Sequence, residues 1–322
     1  MTTTYHKEYP ADRAAMQAMR SELQLHPALE FGPGARPVFD GLIAATPPAQ
    51  NVSYEAATIG GIPGWWCRPS DAVEAVAILY LHGGAYVLGS ADAYRNFAGQ
   101  IAARAKASTF IADYRLAPEY RFPGAVEDAF AAYQGLSADG YLRLALVGDS
   151  AGGGLAISLL LVATASSKGG SVPQPAAAAV MSPWTDLALT GDSIKTRSKE
   201  DPLLNREALE KAARLYLGER NPLDPQASPL YADLTGNPPV LLHVGEDEIL
   251  LDDSRRFAQR MSTVGGSAQL HVWEGMVHVF PSNLVFLQAA REALDVLGEF
   301  LRFHLEKAGA SYASETIALQ QG

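Results

Sequence analysis

Cysteine is almost absent from this chain. Cys67 is the single one in 322 residues, so no disulfide can form within it. That usage fits a reducing compartment. Positive charge is also scarce: 25 Lys and Arg face 35 Asp and Glu, for a net charge of −10. The balance argues against nucleic acid or an anionic membrane as a partner. No basic-then-apolar leader opens the stretch Met1-Thr2-Thr3-Thr4-Tyr5-His6. No window reads as the roughly 18 apolar residues of a spanning helix. A soluble, cytoplasmic protein is expected. The rest of the composition is ordinary for a globular chain, with 48% hydrophobic and 19% charged residues. The length suits one large α/β domain or two smaller ones.

The pattern of apolar residues divides the chain into strands and helices. Residues 8–28 have helical spacing, with Met16, Met19 and Leu23 on one side. A Pro- and Gly-rich loop and a short helical piece from Val38 to Ala45 follow. This segment precedes the first strand and is expected outside the sheet. Segments 51–58 and 62–68, joined by Gly60-Gly61, read as an edge hairpin. Ala75 to Leu81 is a continuous apolar run, as in a strand buried on both faces. Strands at 108–113, 143–148, 176–182, 239–245 and 268–273 then alternate with helices at 92–105, 124–136, 150–167, 252–264 and 283–306. The pattern predicts eight strands in a mostly parallel sheet with helices on both faces. Residues 186–232 contain a helix (Leu209, Ala213, Tyr216) but no strand. They read as an insertion over one end of the sheet.

One stretch carries the chemistry. Leu144 to Val147 is apolar, Gly148-Asp149-Ser150-Ala151-Gly152 follows, and a helix-forming run starts at once. Strand, sharp turn and helix with serine at the apex make a nucleophile elbow, the mark of serine hydrolases on an α/β sheet. A serine hydroxyl needs a base, usually histidine, and a group to orient that base. Of seven histidines, His278 alone falls in a loop just after the last strand, Glu274 to Pro281. Catalytic groups gather at such carboxyl ends of parallel strands. His6, His26, His243, His271 and His304 read as core or surface residues.

The orienting acid should lie between Ser150 and His278 in chain order. The stretch from Leu241 to Asp253 offers Glu246, Asp247, Glu248, Asp252 and Asp253. Asp252 and Asp253 suit a helix cap. Asp247, two residues past Gly245, is the favoured acid, with Glu246 or Glu248 next. The strand ending in His82-Gly83-Gly84-Ala85-Tyr86 suggests an oxyanion hole. Its expected donors are the amides of Gly83, Gly84 and Ala151. His82 then braces the loop. Tyr86, Asp149, Trp184, Tyr216 and Phe280 are candidates for the substrate pocket. No metal or other cofactor is called for.

With these motifs in place, the chain resembles the hormone-sensitive-lipase-like esterases, the bacterial branch of the α/β hydrolases. The resemblance runs from about Leu81 to Pro281. It rests on His82-Gly83-Gly84, on Asp113 to Glu119 with Phe122-Pro123 and Val126-Glu127-Asp128, and on Gly148 to Gly153. Ser182-Pro183-Trp184 and Gly275 to His278 add to it. It implies a Ser-Asp-His carboxylesterase acting on short- to medium-chain esters through an acyl-enzyme. It also implies a helical cap. The divisions are then an N-terminal cap segment at 1–48, a catalytic domain at 49–185 and 233–322, and a cap insertion at 186–232. Arg115 and Glu119 read as loop braces. Two positions depart from the family pattern. Ala85 stands where many members have a third glycine, and Asp247 precedes Glu248-Ile249 where the family's acid often precedes Pro-Leu.

A lactone hydrolase would use the same machinery on a cyclic ester. A ligand-binding protein on the hydrolase fold is the reading of another class, and such proteins commonly lose the histidine. The expected partner is a small-molecule ester, with no nucleic acid and no membrane. The resemblance also implies a homodimer through the last strand of the sheet.

Overall fold

A computed structural model describes residues 1–25 and 30–320. His26 lies outside the described residues. Nine strands form one sheet among them: β1 (Thr2–His6), β2 (Val52–Ile59), β3 (Ile62–Pro69), β4 (Val76–Leu81), β5 (Ser108–Ala112), β6 (Arg143–Asp149), β7 (Ala177–Met181), β8 (Val240–Gly245) and β9 (Ala268–Trp273). The helices are α1 (Pro10–Leu25), α2 (Arg36–Ala44), α3 (Ala91–Ala105), α4 (Gly124–Ala138), α5 (Ser150–Ser167), α6 (Ser193–Thr196), α7 (Arg206–Leu217), α8 (Leu251–Thr263) and α9 (Gln288–Gln320).

The strand order is β1-β9-β8-β7-β6-β4-β5-β3-β2. Only β2 with β3 and β3 with β5 run antiparallel. The inner strands β4, β7 and β8 are buried at every residue. Parallel strands read this way because helices cover both faces. Along β4 the side chains alternate between two cores. Ile78 and Tyr80 join Phe97 of α3 and Leu294 and Leu297 of α9. Leu79 and Leu81 join Tyr133 of α4 and Leu155 and Leu159 of α5. By length and composition α5 is apolar enough to cross a bilayer, contrary to the sequence reading, but 67% of it is buried inside the protein. It is the central core helix.

The first strand corrects the expected count of eight. Thr2 to His6 pair in parallel with Gln269 to Trp273 of β9. The run is short and mostly exposed, so it carries no alternating apolar signal. Its three threonines and a tyrosine are good strand formers. The His6 ring stacks on Trp273 with centroids 3.6 Å apart, and His6 Nε2 lies 2.9 Å from His271 Nδ1. Residues 1–48 are therefore not a cap segment throughout. The outer edge of β9 is taken by this chain's own β1, so the free edge on that side belongs to β1.

Topology positions the site. Strand β4 sits between β5 and β6. The turns leaving the carboxyl ends of β4 and β6 thus emerge side by side where the strand order reverses. Open α/β sheets bind ligands at such switch points. Between β7 and β8 the chain makes α6 and α7 but no strand.

Leu146, on β6 directly beneath the elbow, is 0% exposed. Leu146→Ala should lower unfolding stability by about 2–5 kcal/mol, as for other buried leucines. Urea unfolding measures this, and a cost below about 1 kcal/mol would contradict the packing described.

Candidate active site

Strand β6 ends at Asp149 and α5 begins at Ser150, with no residue between them. The chain can reverse so abruptly only with Ser150 in the left-handed region, at φ 53°. Such a conformation costs about 1–3 kcal/mol and persists only when the surroundings enforce it. The flanking glycines make it sterically feasible. A Cβ on Gly148 would fall 2.2 Å from the Gly152 carbonyl oxygen, and one on Gly152 would fall 2.1 Å from that of Leu81. The backbone is further held by the Trp184 amide, which donates to the Ser150 carbonyl at 2.9 Å.

The loop after β9 brings His278 to the serine. His278 Nε2 lies 2.8 Å from Ser150 Oγ. On the other side of the ring, Nδ1 lies 2.7 Å from Glu248 Oε2. The structure therefore corrects the expected acid: Glu248, and not Asp247, meets the imidazole. The reason lies in the turn after β8. The Asp247 amide donates to the Met276 carbonyl at 3.0 Å, and its carboxylate pairs outward with Arg20 Nη2 at 2.7 Å. Glu246 likewise faces Arg197 at 3.5 Å. One residue further, the chain points inward and the longer glutamate spans the gap. Glu248 is 0% exposed. Its Oε1 accepts from Ser182 Oγ and from the Gly245 amide, both at 2.7 Å. A buried carboxylate needs such partners. A sequence signal did exist: of the three acids, Glu248 alone directly precedes the apolar run Ile249-Leu250-Leu251.

Burial and neighbouring charges act on the imidazole in opposite directions. Burial by itself pulls the His278 imidazole down. The hydrogen bond and charge of Glu248, with the charges of Asp201 and Asp149, outweigh it and hold the pKa above its ordinary value. Burial likewise pushes the Asp247 carboxyl up, against the pull of Arg20 and Arg197. The remaining described histidines lie elsewhere. His82 Nδ1 sits 2.8 Å from the Gly83 carbonyl, its ring stacks on Tyr114 at 4.3 Å, and burial lowers its pKa. His243 is buried beside Trp273, whose indole N–H donates to it at 3.1 Å.

The turn after β4 differs from expectation in one donor. The Gly83 amide donates to Asp149 Oδ1 at 3.0 Å, so it is not free for an oxyanion. The amides of Gly84, Ala85 and Ala151 make no hydrogen bond among the described residues. Gly84 (φ 114°), Ala85 (φ 56°) and Tyr86 (φ 63°) are all left-handed, which turns successive amides to one side. Ala151 adds the open N-terminus of α5.

All five pocket candidates are buried, with exposures of 0–2%. Asp149 is 2% exposed. It lies under the turn and also accepts from Tyr80 Oη at 2.7 Å and Tyr94 Oη at 3.2 Å. Burial raises its pKa, and those bonds and His82 oppose the rise. Phe280 is buried against Trp273 at 5.4 Å in the core shared with α3 and α9. Tyr86, Trp184 and Tyr216 form a buried aromatic group instead. Tyr216, on α7, stacks on Tyr86 at 3.9 Å and 4°, and Trp184 lies 6.3 Å from Tyr86. The insertion is thereby packed onto the turn after β4. Arg115 clasps Asp128 at 2.7 Å and Arg36 pairs with Glu119 at 2.7 Å, so both motif residues brace loops. Asp253 does not cap its helix; it accepts from the Thr185 and Asp186 amides at 2.7 and 2.9 Å. Among the described residues, no group of three or more His, Cys, Asp and Glu side chains is arranged to hold a metal.

Comparison with known proteins agrees with this geometry. Residues 78–282 match the model of a family described by the alpha/beta hydrolase fold. The chain is 40% identical over 250 residues to an acetyl-hydrolase of Streptomyces hygroscopicus, covering 77% of this chain and 82% of that one. It is 33% identical over 286 residues to an esterase of Acinetobacter venetianus, covering 88% and 93%. A crystal structure of an esterase from the bacterial hormone-sensitive lipase family superposes with a TM-score of 0.85 at 39% identity, over 92% of this chain and 99% of that one. An elbow serine bonded to a late histidine, on this sheet and among these relatives, leads to one assignment: the chain belongs to the hormone-sensitive-lipase-like α/β hydrolases and is a carboxylic ester hydrolase.

Proposed function

We propose that Ser150, His278 and Glu248 act as nucleophile, general base and orienting acid in hydrolysis of short- to medium-chain esters. The continuous line from Glu248 Oε2 through the imidazole to Ser150 Oγ, at 2.7 and 2.8 Å, carries the reading. Ser150 Oγ attacks the ester carbonyl carbon while His278 Nε2 takes the hydroxyl proton. The carbonyl oxygen becomes an oxyanion and receives the amides of Gly84, Ala85 and Ala151. The intermediate collapses, the C–O bond to the alcohol breaks, and the imidazolium gives that alcohol the proton. Water, deprotonated by the same imidazole, then attacks the acyl carbon; the C–O bond to Ser150 breaks, the imidazolium returns its proton to Ser150 Oγ, and the acid is released. Glu248 holds the tautomer with the proton on Nδ1 and stabilises the imidazolium throughout. The preference for small acyl groups is supported by the acetyl-hydrolase among the relatives.

Substitution separates the roles. Ser150→Ala and His278→Ala should each cut kcat by roughly 10⁶, judged from another serine hydrolase. Glu248→Gln should cost roughly 10⁴, since the imidazole then loses its tautomer anchor. Asp247→Asn should stay within about tenfold of wild type, because its carboxylate faces Arg20 and not the ring. Rates with p-nitrophenyl acetate and butyrate, normalised by the folded fraction from circular dichroism, decide this. A larger loss in Asp247→Asn than in Glu248→Gln would overturn the assignment of the acid.

The pH dependence has a definite sign. His278 works as a neutral base, so kcat/KM should fall as pH drops through its raised pKa. Glu248→Gln removes the main cause of that raising, so the acid limb should move to lower pH while the plateau falls. A limb that moves upward would contradict the contact. Stability should show the linked effect. A pKa raised in the folded state gives stabilisation that is present below the unfolded value, about 6.5, and is lost as pH rises through the folded one. Glu248→Gln should therefore weaken the protein more in mild acid than at alkaline pH, as read by thermal unfolding.

A further inference from the structure

The residue that follows Glu248 is held at both of its backbone polar groups by the insertion. The Ile249 amide donates to Asp201 Oδ2 at 2.9 Å. The Ile249 carbonyl accepts from Ser193 Oγ at 2.6 Å. Asp201 stands just before the Pro202-Leu203-Leu204 turn, and its other oxygen accepts the Leu203 and Leu204 amides, each at 2.9 Å. It is 7% exposed. A surface loop that only needed closing could use water at these amides. Here a desolvated carboxylate joins two chain segments 48 residues apart, and desolvating a charge is costly. The same seam has outer clasps: Arg197 to Glu246, and Arg20 to both Asp247 and the Glu200 carbonyl.

We propose that Asp201 is a positioning residue for the triad: from the insertion it fixes the backbone directly after Glu248, so the cap and the catalytic acid are assembled together. This rests on the reading of Glu248 as the acid. Three carboxylates act on the imidazole, those of Glu248, Asp201 and Asp149, and each favours its protonated form. Burial pushes the Asp201 carboxyl up, and the imidazole is the first influence opposing that rise. The two groups therefore sense each other although no hydrogen bond joins them directly. The insertion is thus more than a roof over the substrate. It supplies part of the frame on which Glu248 is aimed.

The test uses Asp201→Asn, which keeps one acceptor oxygen, and Asp201→Ser, which keeps a smaller one. Both are compared with wild type on p-nitrophenyl butyrate from about pH 5 to about pH 9, spanning the histidine range. Active sites are counted by phosphonate titration, so any unfolded fraction drops out. A misaimed acid should lower kcat by about ten- to a hundredfold, leave KM within about threefold, and move the acid limb to lower pH. Wild-type kcat and acid limb, with only Tm or KM altered, would show that Asp201 serves the cap alone and would overturn the proposal. Glu248→Gln and the double variant complete a cycle. In the Glu248→Gln background, Asp201→Asn should cost little more in kcat, because its aiming effect runs through the same carboxylate, whereas its direct charge effect on the acid limb should persist. A fully multiplicative loss there would overturn the proposal too. If Glu248→Gln alone retains near-wild-type activity, the triad reading itself fails and Asp201 falls with it. Loss in Glu248→Gln but not in Asp201→Asn removes only the present inference.

Discussion

The site depends on satisfying one carboxylate where water cannot reach it. Glu248 is wholly buried, and a buried carboxylate without hydrogen-bond partners is costly. It has donors on both oxygens: His278 on one, Ser182 Oγ and the Gly245 amide on the other. Ser182 is itself fixed, because its hydroxyl also receives the Val279 amide at 3.0 Å. Thus the residue after the histidine and the acid share a single serine at the end of β7. Moving any of the three loops unsettles the other two.

Backbone strain gathers around the same point. Ser150, Ala85, Tyr86, Ser182 and Val279 are non-glycine residues with φ between 48° and 63°. All lie in the turns at the carboxyl ends of β4, β6, β7 and β9. Such residues are sparse in proteins and cluster where function requires a particular aim. The surrounding bonds over-determine them. Asp149 shows how economical the arrangement is. It is the residue before Ser150, yet its carboxylate reaches sideways to Tyr80, Tyr94 and the Gly83 amide. The nucleophile elbow and the turn after β4 are therefore bolted together through one buried side chain.

Much of this was legible without coordinates. The elbow is legible because its glycines, serine and flanking apolar run sit within a dozen consecutive residues, and local sterics alone demand them. His278 is legible because it follows the last strand. The inner strands are legible because burial on both faces leaves an unbroken apolar run. The misses share a different cause. Strand β1 has no apolar face of its own and pairs with Gln269 to Trp273, at the far end of the chain. Asp247 and Glu248 are neighbours of similar chemistry, and which one points inward depends on a contact with the Met276 carbonyl. The Gly83 amide looked free because its acceptor, Asp149, belongs to another strand. Asp201 carried no motif that marked it.

The sequence by itself determined the chemistry available: a serine on a forced turn, a histidine in a late loop, acids between them, and an α/β sheet to carry all three. Those features are local, since they follow from steric limits and hydrophobic period over a few residues. Tertiary structure decided which carboxylate meets the ring, which amides stay free and which side chains of the insertion bond the backbone after Glu248. Those are outcomes of direction. A side chain's direction at the end of a strand is set by hydrogen bonds to segments distant in the chain.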